Sequence, residues 1–416
     1  MSKTKVAVIG LGAAGMMAAY SLLESEDCEV LAFERNKNIG AKVLISGGGR
    51  CNVTTYQENI PEILKNYPRG AKFLRFAMYE IPPLKIMQFF EKNGVKLKHE
   101  SDLRVFPASD DGSEIVNVFE KKFKKSGAKI KFLNAISDIE KVNGKFILTN
   151  QKNEKFEAEK VIITTGGQAY RHTGSKGDGY FLAERLGHSI TDLGPSLNSF
   201  VVKDNWSKEL SGVSHIEVNF KGFLKDGKKL EFKGPMIWTH RGLSGPAVFA
   251  VSAMMAFERF DKLNSKEIYL DLIPSINHEE LNAKLTTYFK ANPKKSLLNA
   301  FKEFAPRSVL LKLASELELD MSKIIAETSK KKIAKLINLL KHLPIELVGR
   351  ASGDEFVTAG GIKLEEINKK TMESKICNGL FFAGEILDVD GFTGGYNLQA
   401  SWATGYIAGN SASKNE

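Results

Sequence analysis

Gly10, Gly12 and Gly15 stand in the run VIGLGAAGMMAAYSL, just after a short apolar stretch and at the head of one rich in Ala, Met and Leu. The spacing GxGxxG between a strand and a helix is what a backbone needs to receive a pyrophosphate. Gly10 allows the tight turn, Gly12 lets a diphosphate approach the main chain, and Gly15 lets helix and strand pack closely. The helix N-terminus then faces the negative charge. Glu34 ends the following strand, EVLAF, where a carboxylate accepts hydrogen bonds from ribose hydroxyls. An acid there argues against a 2′-phosphorylated ribose and leaves NAD or FAD.

A second group lies in SGGGRCNVT, residues 46–54. Gly47, Gly48 and Gly49 in succession would let the backbone pass close to something flat, such as a flavin ring or its ribityl chain. Arg50 offers charge for a phosphate or an anionic substrate. Packing support is the alternative for the whole loop. Cys51 has no second thiol in a CxxC pair, so a small buried filler is the expected role. His172 and His240 sit in glycine-rich loops, and Arg241 follows His240. Such groups could polarise a substrate carbonyl and deliver a proton. The plainer reading of each histidine is structural. Asp178, in SKGDGY, either caps the helix that follows or positions the loop over a cofactor. The sequence holds no HExxH and no paired cysteines, so no metal site is expected.

The elements that must position these residues follow from patterning. KVAVI (residues 5–9), a glycine turn, a helix and EVLAF open a doubly wound α/β domain. VIITTGG at 161–167 reads as another buried strand ending in Gly166 and Gly167. The C-terminal run GLFFAGEILDVDGFTGGYNLQ gives a strand, then Gly384, Glu385 and Asp388, then Gly394 and Gly395 and a helix from Tyr396. A helix whose positive end points at a flavin's pyrimidine edge would stabilise negative charge there. That closing segment selects FAD over NAD. Between the two α/β parts, residues 197–275 alternate in short runs with an Asp226-Gly227 hairpin turn, and 277–341 carry helical spacing. The expected organisation is an FAD-binding domain over 1–195 and 345–416. It would be interrupted by a β-rich, barrel-like insert (196–276) and a helical insert (277–344).

With 416 residues, 43% hydrophobic and 26% charged, the chain is long enough for several cored domains. Its net charge of +10 comes from scattered lysines, and the run Lys330 to Lys332 reads as the solvated face of a helix. A nucleic-acid partner is therefore disfavoured, and a small-molecule substrate expected. No apolar run is long enough to span a membrane, no targeting segment is visible, and a cytoplasmic location is expected.

Taken together, GLGAAG, SGGGRCNVT, TTGG, GSKGDGY, THRGLSGP, TAGGI, TMESK and GEILDVDGFTGGYNLQ resemble the HI0933-like family of bacterial NAD(P)/FAD-dependent flavoproteins, which includes aminoacetone-oxidase-like and bile-acid-reductase-like members. The resemblance implies a glutathione-reductase-like, Rossmann-type FAD-binding domain with an inserted barrel and helical subdomain. It implies that Gly10, Gly12, Ala13, Ala14, Gly15, Glu34 and Arg35 meet the adenosine and pyrophosphate, with Gly166 and Gly167 near the adenine half. It places Lys42 and the loop Ser46, Gly47, Gly48, Gly49, Arg50, Cys51 and Asn52 on the flavin side. Asp178, Gly384, Glu385, Asp388, Gly394, Gly395 and Tyr396 complete the set, with Asn397 and Leu398 meeting the ring through backbone groups.

The expected activity is an FAD-dependent oxidoreductase. NAD(P)H, acting as a transient donor, or an organic donor would reduce the flavin; an unsaturated small molecule or oxygen would reoxidise it. An amine oxidase making peroxide, a flavin-dependent RNA-modifying enzyme and a non-catalytic flavin-binding protein are the alternatives.

Overall fold

The computed structural model describes residues 3–203, 206–351 and 355–414. The chain divides into two units, residues 1–195 with 356–416 and residues 196–355, and each has its own apolar core.

The first unit is built on a five-stranded parallel sheet in the order Leu380–Phe382, Lys160–Ile163, Thr4–Ile9, Cys28–Phe33, Lys129–Lys131. The first strand is central, its successor lies on one side and the late strand 160–163 on the other. The strand order therefore reverses beside it, and the crevice beyond its carboxyl end is the ligand position of such sheets. The first helix, Ala13–Leu22, is buried over most of its surface and carries no charged residue, so it can sit between the sheet and another helix. That other helix is the last one, Tyr396–Ala412. Helix Ser113–Ser126 shows the opposite pattern. Ile115, Val116, Val118, Phe119 and Phe123 face inward, its lysines face out, and Gly127 at φ 69° ends it. The unit also holds two small three-stranded antiparallel sheets, one from 54–55, 97–99 and 104–107, the other from 136–142, 145–150 and 155–158, and strand 357–359 pairs with 194–196.

The second unit is a closed antiparallel barrel of Phe200–Val202, Gly242–Ser244, Lys229–Thr239, Ser214–Phe223, Lys266–Asp271 and Leu343–Arg350. Helices His278–Ala291, Leu297–Phe301, Arg307–Glu316 and Lys330–Lys341 precede its final strand. Two expectations need correction. The return to the first unit falls at 355/356 rather than 345, because residues 343–350 pair with both 200–202 and 266–271 and close the barrel. The β part and the helical part also do not keep separate cores. Leu281, Phe301, Leu313 and Leu336 share one apolar core with Phe220, Trp238 and Ile268.

Candidate functional site

Sheet register sets the level of the site. Ile9 is aligned with both Phe33 and Ile163, and Ile163 with Phe382. Gly10, Glu34, Thr164 and the Ala383–Gly384 turn therefore leave the sheet at one height, at its carboxyl edge.

The three glycines of the first turn differ in what surrounds them. Gly10, at φ 92°, has Thr164 O 3.0 Å from where a Cβ would sit. A Cβ on Gly15 would lie 1.8 Å from Gly10 O, so helix and turn touch through bare backbone. Gly12 has nothing within 4 Å of that position, and its backbone at the head of the helix faces open space. The first helix begins with no side-chain cap, which leaves its leading N–H groups to an anion. Leu11 is fully buried and points away from that space.

The Glu34 carboxylate, only 6% exposed, accepts from Leu11 N–H at 2.8 Å and from Asn36 N–H at 2.9 Å. It ties the glycine turn to the end of the second strand, and its remaining lone pairs can accept from a ribose. Open space at Gly12, an uncapped helix start and an acid at the strand end together fit the diphosphate and ribose of a dinucleotide.

Beside this end, Arg35 donates to Gly174 O at 3.1 Å and forms an ion pair with Asp178, while Asn36 donates to Thr173 O. The expectation that Asp178 caps its helix is not met. Gly177, at φ 86°, is the N-cap, and Asp178 is the first helical residue with its carboxylate on Arg35.

Lys42 and Glu385 form the next group, 2.6 Å apart. Glu385 also accepts from Thr358 N–H at 2.9 Å, and Thr358 Oγ1 accepts from Gln168 N–H at 2.7 Å and Ala169 N–H at 3.1 Å. Four chain segments thus meet at one hydroxyl and one carboxylate. Gly166 and Gly167 lie between the two groups. A Cβ on Gly166 would meet Ser175 Oγ at 2.9 Å, and one on Gly167 would meet Thr358 Oγ1 at 2.4 Å.

In the loop after Lys42, Gly47, Gly48, Gly49 and Cys51 all have positive φ. Gly48 faces open space, whereas a Cβ on Gly47 would lie 3.0 Å from Asn52 N. Close passage of a flat group is thus available at Gly48 and not at Gly47. Arg50 takes the supporting place that was the alternative reading of its loop. It pairs with Glu100 at 2.7 Å and Asp110 at 3.5 Å and lies 4.0 Å above the Phe106 ring, so two carboxylates already balance its charge. Cys51 is fully buried, and burial pushes its thiol up to about 12, far from a reactive thiolate. Ser46 Oγ donates to Val43 O, closing the preceding turn.

The closing helix is bound into this loop. The Asn52 amide, oriented to satisfy both neighbours, donates to Thr54 O and accepts from Gly395 N–H at 2.8 Å. Thr54 Oγ1 bonds Gln399, Gln399 donates to Ile81 O, and Trp402 donates to Val53 O. Gly395, at φ 87°, would drive a Cβ within 2.4 Å of Thr54 backbone, so the chain itself requires glycine there. The same holds at Gly394, whose added Cβ would sit 2.6 Å from the Tyr396 ring. The first N–H with a helical partner is that of Gln399, to Gly395 O. The N–H groups of Tyr396, Asn397 and Leu398 are therefore the free positive end of this helix. The Asn397 side chain holds Gly391 through both its amide atoms. Asp388 is half-buried, its Oδ1 has no hydrogen-bond partner, and burial raises its carboxyl above the usual range, partly offset by Arg69. Arg69 itself clasps the fully buried Asp390 with two bonds.

His172 stays in the first unit, in a single helical turn, edge-on to Tyr170 at 5.7 Å. His240 and Arg241 belong to the second unit, exposed at the turn between two barrel strands.

Several positioning residues were not among the expected site residues, although Thr164 and Thr358 open the TTGG and TAGGI motifs. Thr164 Oγ1 donates to Gly10 O, Thr358 gathers the Gln168 turn, and Gly405 and Gly409 bring the last helix onto the first. Added Cβ atoms there would lie 2.3 Å from Ala14 O and 2.4 Å from Ala18 O. The G-x-x-x-G spacing in WATGYIAGN was the signal available for that seam.

Residues 4–411 match the family model described as HI0933-like protein Rossmann domain. The 3-dehydro-bile acid delta(4,6)-reductase of Clostridium scindens is 28% identical, over 99% of each chain. The ribosomal RNA dihydrouridine synthase of Haemophilus influenzae is 29% identical, over 98% of each. Among solved structures, 3-ketosteroid delta1-dehydrogenase from Sterolibacterium denitrificans superposes with a TM-score of 0.53 at 12% identity, covering 99% of this chain and 100% of the other, a likeness of fold. No helix among the described residues is long and apolar enough to cross a membrane.

Proposed function

The chain belongs to the HI0933-like family and is an FAD-dependent oxidoreductase, and from that premise we propose that it reduces a carbon–carbon double bond conjugated to a carbonyl. The observation that carries this reading is the chemistry the two full-length relatives share. A delta(4,6)-reductase and a dihydrouridine synthase each add two hydrogens across such a bond, on otherwise unrelated substrates.

When bound, FAD supplies the hydride for that addition and accepts one from its reductant. The protein's part follows from the site. The start of the first helix, open at Gly12, would hold the pyrophosphate, and Glu34 would hold the adenosine ribose. The free N–H groups of residues 396–398 would offset negative charge at the pyrimidine edge. Lys42 and Glu385 would fix the loop beside the ribityl chain. NADH or NADPH is proposed as the reductant, docking transiently, since only one GxGxxG is present.

The second reading concerns the acceptor. A relative named for ribosomal RNA favours a uracil ring in RNA over a free small molecule, against the expectation drawn from the scattered lysines.

The test is an anaerobic titration of the purified protein with NADPH and NADH, followed by challenge of the reduced enzyme. The acceptors would be a conjugated steroid dienone and an unmodified ribosomal RNA transcript. Reoxidation with a product gaining two hydrogens supports the proposal and identifies the acceptor class. A flavin that is reduced by small amines and returns peroxide from oxygen, with neither acceptor consumed, would overturn it.

A further inference from the structure

Positive charge is concentrated in the helical part of the second unit. Residues 277–342 hold 13 Lys and Arg against seven Asp and Glu. Within it, helix Lys330–Lys341, KKKIAKLINLLK, has five lysines and no acid. Its buried face is Ile333, Leu336, Ile337 and Leu340. The opposite stripe carries Lys331, Ala334, Lys335 and Asn338, all exposed, and Lys330 is exposed beside it.

A second strip of lysines lies close in the chain. Leu297 donates to Lys323 O at 3.0 Å, Ile325 to Lys295 O at 3.0 Å and Ala326 to Pro293 O at 3.1 Å. These bonds lay segment 293–298 against 321–326, and the exposed Lys294, Lys295 and Lys323 ride on that ribbon. The ribbon leads into Ser329, which starts the lysine helix.

A face that serves only solubility interleaves both signs evenly. Here acids are in the minority: Glu318 pairs with Lys332 at 3.7 Å, and Asp320 and Glu327 flank the ribbon, against six exposed lysines, Lys294, Lys295, Lys323, Lys330, Lys331 and Lys335. Lys331 and Lys335 repel at i,i+4 spacing, and Lys330, Lys331 and Lys332 crowd the helix end where the macrodipole is already positive. Elsewhere many lysines are paired, such as Lys98 with Asp110 and Lys312 with Glu209 and Glu316. Among the described residues, Lys294, Lys295, Lys330, Lys331 and Lys335 have no ion pair. Exposed lysines left in excess on a helix and an adjoining ribbon match a polyanion's repeated charges.

We infer that this face docks the phosphodiester backbone of the structured RNA that carries the acceptor uracil. The inference rests on the RNA reading of the acceptor. Lysines here serve as point charges on phosphate and confer affinity without sequence selection.

The test uses the full-length, FAD-loaded protein and an unmodified large-subunit ribosomal RNA transcript, with binding measured across a salt series. Wild type is expected to bind with a steep salt dependence. Lys330→Glu/Lys331→Glu/Lys335→Glu is expected to bind at least ~10-fold more weakly, with the salt slope reduced by roughly 0.7–0.9 for each phosphate no longer neutralised. Its flavin content and reduction by NADPH should match wild type, which also reports that it folds. Lys294→Gln/Lys295→Gln, a milder change on the ribbon, should weaken binding in the same direction.

Equal RNA binding by wild type and both variants would overturn the docking face while leaving the RNA reading intact. Failure of wild type to bind the transcript at low salt would overturn both. Charge-dependent binding to vesicles of anionic phospholipid, without RNA binding, would assign the face to a lipid surface instead and overturn the inference.

Discussion

Three glycines of one motif do three different jobs here, and the differences can be measured. Gly12→Ala adds a methyl into open space, so stability should stay within about 0.5 kcal/mol of wild type while the diphosphate is obstructed. Gly15→Ala places a methyl on Gly10 O, so the fold itself should lose more than about 3 kcal/mol. Urea unfolding of the cofactor-free protein and flavin retention on desalting separate the two. Loss of stability at Gly12 would mean that the open space is a packing contact. Glu34→Gln keeps the shape but replaces one accepting oxygen by an N–H donor facing a backbone N–H. Losing a charge-assisted bond is worth about 1.5–3 kcal/mol, so FAD should bind roughly tenfold more weakly or worse. Unchanged FAD affinity in the Glu34→Gln variant would restrict Glu34 to holding the turn. At this scale the turn at Gly10 and Gly15 and its tie to Glu34 were legible as a local unit because their partners lie close in the sequence. Arg50 was not, since its partners Glu100 and Asp110 arrive on a separate small sheet.

Elements show how burial couples to protonation. His215 lies inside the barrel, 6% exposed, and accepts from the Trp238 indole N–H at 3.3 Å. Burial lowers its pKa from 6.5 to about 4. The folded state keeps it neutral, so between pH 6.5 and 4 the unfolded chain binds a proton that the folded one does not. Stability should therefore fall as pH drops through that window, by up to roughly 3 kcal/mol, and level off below it. Comparing urea midpoints at several pH values for wild type and His215→Leu, with Trp238 emission as reporter, would check this. Identical pH profiles would place the acid sensitivity elsewhere. Elements also mark where reading the sequence stops. Strands 4–9 and 28–33 announce themselves as continuous apolar runs. Strand 343–350 alternates instead and carries Glu346 and Arg350, yet nothing local says which strands LPIELVGR pairs with. Only pairing with 200–202 and 266–271 decides, and that is a long-range fact. The seam at Gly405 and Gly409 went unread for the same reason.

The whole molecule is two cores threaded by one chain, with the proposed FAD contacts confined to the first. Ligand that binds only the native state adds about 2.7 kcal/mol at a hundredfold excess over Kd. Hydrogen exchange should show that gain in strands 4–9 and 160–163, with barrel strands 214–223 and 229–239 little changed. Equal protection of both units would show that they open as one body. The broad architecture was legible because texture changes near Pro195. The fusion of barrel and helices into one core was not, since amphipathic spacing states that a face is buried without naming what buries it.

The split of the first unit into 1–195 and 356–416 also orders events during synthesis. The central sheet lacks its Leu380–Phe382 edge, and the first helix lacks its covering partner, until residues 380–412 have left the ribosome. The 196–355 unit, contiguous in sequence, emerges complete beforehand and can fold while the earlier half waits unfinished. A nascent chain stalled short of Tyr396 should thus carry no flavin, so cofactor capture waits for the closing helix and colour becomes a readout of its docking.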